Sequence, residues 1–258
     1  MQLKEKVIII TGSTTGIGEA IARRCVKEGA YVVVHGRNRS RGMKLINDLG
    51  DSSVLHLDDI SDPEAPSRLI ETAIKRFGKL DGLVNNAALV IRSDLNTTDA
   101  TLFDKVIATN LRAPLLIIKA AIDPLKTTAG SIINIGSINA YTGEPRQLAY
   151  SIAKGGLVTL SRNLANVYAG SHVRVTHFNV GWVLTPNEYK LKISEGLTEG
   201  WSDHPDPSDV PTGRMTQPDN IAAHTVFWLS DQSRPISGSV IDLEQYPVIG
   251  NIPLKEGD

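Results

Sequence analysis

Tyr150 and Lys154 stand four positions apart in Tyr150-Ser151-Ile152-Ala153-Lys154, a spacing that sets a phenol and an ammonium on one face of a helix. A neighbouring cation favours the phenolate, so Lys154 is expected to draw Tyr150 toward working pH and make it a usable general acid and base. The same pair on a solvated face would be an ordinary tyrosine beside an ordinary lysine. Ser137 argues otherwise, because it closes the apolar run Ser131–Ile135, thirteen residues before Tyr150, and the carboxyl ends of strands in open α/β sheets face the ligand crevice.

A second feature lies near the start. The run Val7 to Ile10 feeds into Thr11-Gly12-Ser13-Thr14-Thr15-Gly16-Ile17-Gly18 and then into a helical pattern reaching about Glu28. Gly12, Gly16 and Gly18 suit a turn with unusual dihedrals, a close backbone approach to a pyrophosphate, and tight helix–sheet packing. The helix would aim its free N–H groups and positive dipole end at the phosphates.

The elements that must position these groups follow from the apolar rhythm. Runs at Val7–Ile10, Tyr31–Val34, Val54–Leu57, Leu80–Val84, Ser131–Ile135, Val173–Phe178 and Val240–Leu243 are rich in β-branched residues and read as strands buried on both faces. Amphipathic stretches at about 17–28, 40–49, 64–77, 99–122, 150–169 and 218–230 alternate with them. This pattern predicts a parallel sheet with right-handed crossovers. One stretch breaks the rhythm: from Trp182 to Met215 the chain is irregular and carries Pro186, Pro205, Pro207 and Pro211. A long segment of this kind inside an α/β unit is expected to be a substrate lid, at about 182–215.

At 258 residues and 41% hydrophobic content, the chain can bury the core of one domain, 1–258. A net charge of −1 argues against nucleic-acid or acidic-membrane partners, which need a clustered basic surface. The apolar run after the polar start is too short for a signal-peptide core or a membrane span, so a cytoplasmic location is expected. Cys25 is alone and reads as a small buried hydrophobe rather than a reactive thiol. The six histidines show no pair at metal-ligand spacing, so no catalytic metal is expected.

With these motifs in this order, the chain resembles the short-chain dehydrogenase/reductase family, in the group of about this length, over nearly everything from Lys6 to Leu243. The resemblance implies a three-layer doubly wound α/β Rossmann fold, with helices on both faces of a seven-stranded parallel sheet of order 3-2-1-4-5-6-7. It implies reversible hydride transfer between a nicotinamide dinucleotide and a carbonyl/secondary alcohol pair. Thr11-Gly12-x-x-x-Gly16-Ile17-Gly18 matches the cofactor turn, with Ser13, Thr14 and Thr15 inside it. Asp59 with Ile60 matches the adenine contact, and Asn85-Asn86-Ala87 the segment beside the cofactor. Asn110, Ser137, Tyr150 and Lys154 match a catalytic tetrad. In it, Tyr150 exchanges a proton with the substrate oxygen, Ser137 hydrogen-bonds that oxygen, Lys154 holds the nicotinamide ribose, and Asn110 positions a water linking Lys154 to solvent. Taken singly, Asn110 could instead kink its helix and Ser137 satisfy a strand end.

Three departures from the family pattern stand out. Asn-Asn-Ala continues into Ala88 in place of glycine. The usual Pro-Gly after the sixth strand is Val180-Gly181, which frees an N–H and loosens a dihedral, while Gly181, Val183 and Thr185 still match cofactor-binding positions. The Asp-Gly-Gly after the last strand is replaced by Glu244-Gln245-Tyr246-Pro247, so the tail Val248 to Asp258 is expected to leave on its own course, toward a neighbouring subunit or the pocket.

Past the second strand, NAD-preferring relatives place an aspartate where this chain has Gly36, and Arg37 follows. Arginine there can fork onto a 2′-phosphate, so NADP(H) is expected, with NAD(H) possible. Thr15 stands where some NADP-binding relatives carry a second basic residue. For the substrate, the neighbourhood of the tetrad offers Asn139, Glu144, Arg146, Trp182 and Asn187. The lid, with Glu188, Lys190, Lys192, Glu195 and Trp201, lacks the Leu, Met and Phe that would bury a sterol or long acyl chain. A small hydroxylated substrate such as a sugar, sugar acid or polyol is expected. A 3-oxoacyl thioester reductase and a non-catalytic dinucleotide-binding sensor remain the alternatives. Relatives pair through the helices at 99–122 and 150–169, so a homodimer or homotetramer is expected.

Overall fold

Alternate residues of each strand face opposite sides of a sheet, and the first strand, β1 (Val7–Ile10), shows what that demands here. Its Ile8 and Ile10 enter one apolar cluster and Val7 and Ile9 the other. Both faces therefore need a helical layer. In the computed structural model, which describes residues 1–248, β2 (Tyr31–Gly36), β3 (Ser53–Leu57), β4 (Gly82–Asn85), β5 (Ser131–Ile135), β6 (Arg174–Val180) and β7 (Val240–Leu243) join β1 in one sheet. Its order is β3-β2-β1-β4-β5-β6-β7, parallel throughout.

On one face, α1 (Gly16–Lys27) and α2 (Arg39–Leu49) supply Ile21, Ala22, Cys25 and Leu45. On the other, α3 (Ala65–Phe77) supplies Leu69, Ile70 and Ala73. The long helical pattern expected at 99–122 is three pieces: α4 (Ala100–Ile107), a π-turn at Ala108–Arg112, and α5 (Ala113–Thr128). Single π-turns of this kind collect at functional sites, and Asn110 sits in this one. The short α6 (Asn139–Thr142) precedes α7 (Leu148–Tyr168), which carries Tyr150 and Lys154. The expected lid is not wholly irregular, because α8 (Pro186–Ser194) lies in it. That helix escapes a periodicity reading because it buries no residue; its signal is the cap, where Thr185 Oγ1 accepts from Glu188 N at 3.1 Å ahead of Pro186. Finally, α9 (Pro218–Leu229) returns to the first face with Ile221, Ala222, Val226 and Leu229. Cys25 is fully buried, and burial pushes its thiol up to about 12, so it is an inert packing residue. Among the described residues, no helix is long and apolar enough to cross a membrane. The tail expectation lies outside the described residues beyond Val248.

The core also holds a polar chain that the strand pattern conceals. Asn85 donates to Asn134, Asn134 donates to Ser161, and Ser161 meets His177 Nδ1, at 2.8, 2.8 and 3.0 Å. His177 Nε2 pairs with Asn179, which donates to Asp242, at 3.1 and 3.0 Å. The chain ties β4, β5, α7, β6 and β7 together, and a connected buried network of this kind favours one register, with Asn85 Oδ1 alone left without a partner in it. A second buried histidine, His35, accepts from Gly12 N at 3.1 Å and returns the backbone contacts of Ser13.

Burial holds both imidazoles neutral, with pKa values lowered to about 4. As pH falls, the unfolded chain therefore takes up protons on these residues before the folded one does, and stability is lost between about pH 6.5 and pH 4. At about pH 5 each histidine should cost roughly 2 kcal/mol relative to neutral pH. Denaturant midpoints measured at about pH 7.5 and about pH 5 check this; equal midpoints would contradict it.

Candidate active site

The turn between β1 and α1 is built by exclusion of side chains. Gly12 has φ +63°, and a Cβ there would lie 2.8 Å from Ala87 Cα. At Gly18 a Cβ would lie 2.5 Å from both Asn86 Nδ2 and Gly12 O. Thr11 Oγ1 accepts from the N–H groups of Asn86 and Ala87, each at 3.0 Å, and Asn86 Nδ2 donates to Thr11 O at 2.8 Å. The glycine turn and the end of β4 are thereby locked against each other, and the N-terminus of α1 opens into a cavity of about 760 Å³.

That cavity runs along the carboxyl ends of the strands. Its wall includes Gly12, Thr14, Thr15, Gly16, Ile17, Arg37, Asp59, Ile60, Asn86 and Ala87, and it continues to Gly181, Val183 and Thr185. Ser13 and Gly18 are not on the wall: Ser13 is buried and donates to Ile10 O, and Gly18 makes the close packing. A cleft walled by backbone at a helix N-terminus, with no Cβ in the way, fits a dinucleotide pyrophosphate. At the far end Arg37 lies 3.2 Å from Asp59, whose other oxygen accepts from Ser61 N and Oγ. Asp59 thus orders its own loop and holds Arg37, beyond the adenine contact expected of it. At Gly36 a Cβ would lie 2.7 Å from Thr14 Cγ2 and 2.8 Å from Thr14 Oγ1, so Thr14 fills the space an acidic side chain would need.

At the other end of the same cavity stand Ser137, Tyr150 and Lys154. The Lys154 ammonium is buried, donates to Ile135 O at 2.6 Å and lies 5.5 Å from the centre of the Tyr150 ring. Burial lowers its pKa to about 8. The Tyr150 phenol is pushed up to about 12, chiefly by burial, with the Ser137 hydroxyl easing and the Glu188 carboxylate adding to the shift. The expectation that Lys154 lowers this pKa is corrected here: the ammonium is turned toward the Ile135 carbonyl, and desolvation of the phenol dominates.

Asn110 is buried off the cavity wall, its amide accepting from Leu89 N and donating to Leu89 O, both at 2.8 Å. Its visible work is to fix Leu89, which does line the cavity.

Trp182 and Asn187 line the cavity, whereas Asn139, Glu144 and Arg146 do not. Asn139 donates to Gln147 at 3.1 Å, Glu144 faces Arg92 at 3.7 Å, and Arg146 is largely exposed. Closeness to Tyr150 in sequence misled there, because the loop before α7 turns these side chains away from the crevice. Arg92 was missed altogether: it binds Glu195 at 2.9 Å and joins the segment after β4 to the end of α8, a contact across 103 positions that no local pattern announces. Leu89, Val90, Glu188 and Leu191 were also unassigned wall residues. Trp182 stacks on Trp201 at 5.4 Å, with Lys192 5.4 Å from its ring centre, so its faces are already engaged. Beyond Val180, the replaced family segment has a structural role: Glu244 accepts from Trp182 N at 2.9 Å and from Gln245 N at 2.7 Å, holding the exit of β6.

A family model described as enoyl-(acyl carrier protein) reductase matches residues 12–244. The NADP-dependent (R)-specific alcohol dehydrogenase of Lentilactobacillus kefiri is 32% identical over 244 residues, covering 92% of this chain and 94% of that one. The D-beta-hydroxybutyrate dehydrogenase of Rhizobium meliloti is 31% identical over 250 residues, covering 93% and 97%. Among solved structures, 3-ketoacyl-(acyl-carrier-protein) reductase from Brucella melitensis, complexed with NADH, superposes with a TM-score of 0.82 at 29% identity, covering 93% of this chain and 97% of that one. The sheet order agrees with the α/β fold of that structural neighbour. The chain belongs to the short-chain dehydrogenase/reductase family of oxidoreductases.

Proposed function

We propose that this chain reduces a ketone to a secondary alcohol at the expense of NADPH, with a small polar hydroxylated compound as substrate. The observation that carries the reading is a single cavity with a glycine-walled helix N-terminus along it and the Ser137 and Tyr150 hydroxyls beside buried Lys154 at one end. The NADP-dependent and NADH-bound relatives support a nicotinamide dinucleotide as the cofactor. When bound, it supplies the hydride for the carbonyl carbon. The chain's part is proton management: a phenol held up to about 12 is protonated at neutral pH, so Tyr150 Oη donates to the carbonyl oxygen as negative charge develops there. Ser137 Oγ is the preorganised donor to the same oxygen. Lys154, tied to Ile135 O, is the cation beneath them.

Preference for NADP(H) over NAD(H) rests on Thr14 filling the space beside Gly36 and on Arg37 and Arg41 at that end of the wall. Replacing Arg37→Ser is expected to lower kcat/KM for NADPH by about 10- to 100-fold, the loss of one or two charge-assisted bonds, while NADH changes little. Equal losses for the two cofactors would contradict the phosphate assignment.

A 3-oxoacyl thioester reductase is the second reading, supported by the Brucella melitensis neighbour. Initial rates of cofactor oxidation against keto sugars, simple ketones, hydroxy-acid precursors and 3-oxoacyl thioesters separate the two. Faster turnover of long-chain thioesters than of every polar ketone would overturn the polar-substrate reading. Exposed apolar Leu115 on α5 and Ile152 on α7 support a homo-oligomer built through those helices.

A further inference from the structure

Three carboxylates line the cavity: Asp58, Asp59 and Glu188. Asp58 lies 2.7 Å from Arg68 and Asp59 lies 3.2 Å from Arg37, so both are neutralised locally. Glu188 differs. Thr185 caps its backbone N–H and Trp182 Nε1 donates to its Oε1 at 2.8 Å, which fixes the carboxyl plane. Among the described residues it has no cationic partner, and no hydrogen bond engages Oε2. The neighbouring cation on α8, Lys192, is turned to Glu195 at 2.9 Å and to the Trp182 ring. Glu188 and Tyr150 line the same cavity, and the carboxylate adds to the upward push on the phenol. Of the cations on the same wall, Arg37 is held by Asp59 and Lys154 is tied to Ile135 O, and neither these nor Lys105 and Arg41 pair with Glu188. A half-buried carboxylate held by Trp182, without a cationic partner and on the same cavity wall as the reacting hydroxyls, repels a like charge and accepts hydrogen bonds from a neutral donor.

We infer that Glu188 is a specificity-determining residue that accepts a hydroxyl of a neutral substrate next to the reacting carbonyl and turns away substrates carrying a carboxylate or sulfonate at that position. This inference rests on the ketone-reductase reading of the same cavity. It separates the chain from hydroxy-acid dehydrogenation and narrows the substrate class to uncharged hydroxylated ketones and their alcohols.

The test uses acetoacetate and its neutral near-isostere methyl acetoacetate. Dissociation constants are read from quenching of the Trp182/Trp201 fluorescence in the presence of NADP⁺, where no reduction occurs, and kcat/KM is read with NADPH. The wild-type protein should bind the ester at least ~10-fold more tightly than the acid. Glu188→Gln, which keeps an acceptor for Trp182 Nε1, should bring the two within about threefold, and Glu188→Asp should retain most of the discrimination. Tighter binding of acetoacetate by the wild type, or a ratio unchanged in Glu188→Gln, overturns the inference. Failure to reduce either compound would count against the reductase reading, while the binding ratio still judges Glu188.

Discussion

Tyr150→Phe is expected to lower kcat by about 10³-fold or more, within the range for loss of a positioned general acid, with the cofactor dissociation constant changed by no more than about threefold. The phenol is the proton source nearest the place where Ser137 Oγ would meet a substrate oxygen, and its raised pKa keeps it protonated. Removing one oxygen leaves the ring packed beside Val106, Ala149 and Ala153, and leaves Lys154 bound to Ile135 O. The glycine turn lies elsewhere along the cavity. Stopped-flow rates with NADPH, paired with a cofactor titration and a melting curve, give the three readouts. A variant with unchanged kcat would remove Tyr150 from the chemistry; one that also lost cofactor binding and stability would make it a structural residue.

Gly136→Ala is expected to destabilise the chain by about 3 kcal/mol. A Cβ at this position would overlap the His177 imidazole and lie 2.8 Å from the Phe178 carbonyl. Neither can yield easily. His177 is fully buried and pinned by Ser161 and Asn179, and the Phe178 carbonyl accepts from Gly136 N itself at 2.6 Å. Because Ser137 follows directly, the displaced strand end should also cost activity. Adding His177→Ala removes the ring that the new methyl meets, so the double variant should be more stable than the sum of the single effects requires, with a coupling of about 1–3 kcal/mol. Denaturant unfolding of the four proteins measures it; strictly additive losses would contradict the steric account.

Much of this site is readable from the chain because its causes are local. Gly12 and Gly18 are required by contacts within one turn and its neighbouring strand, and the Tyr150–Lys154 spacing places both on one side of α7. Strands buried on two faces announce themselves as unbroken apolar runs, which is why seven strands of a parallel sheet were within reach, while their order followed from the family resemblance. What was hidden depends on distant partners. The run Val173–Phe178 reads as ordinary strand, yet His177 works only through Ser161 and Asn179. Arg92 finds Glu195 across 103 positions, and α8 forms from a Thr-Pro cap with no apolar face to reveal it. Glu144 and Arg146 looked like substrate contacts because they are near Tyr150 in sequence, but direction in space decided against them. The Tyr150 pKa was misjudged for the same reason: a neighbouring lysine was visible in the sequence, while the desolvation around the phenol was not.

The proposed reaction is hydride transfer to a neutral carbonyl with Tyr150 as proton donor. It is tested most directly by incubating the protein with NADPH carrying two deuterons at the nicotinamide C4 and a neutral hydroxylated ketone, then locating the label by mass spectrometry. One deuterium is expected on the new carbinol carbon with the wild-type protein, and a label transfer rate about 10³-fold lower with Tyr150→Phe. An alcohol formed without the label, or label transfer at the wild-type rate in Tyr150→Phe, would contradict it.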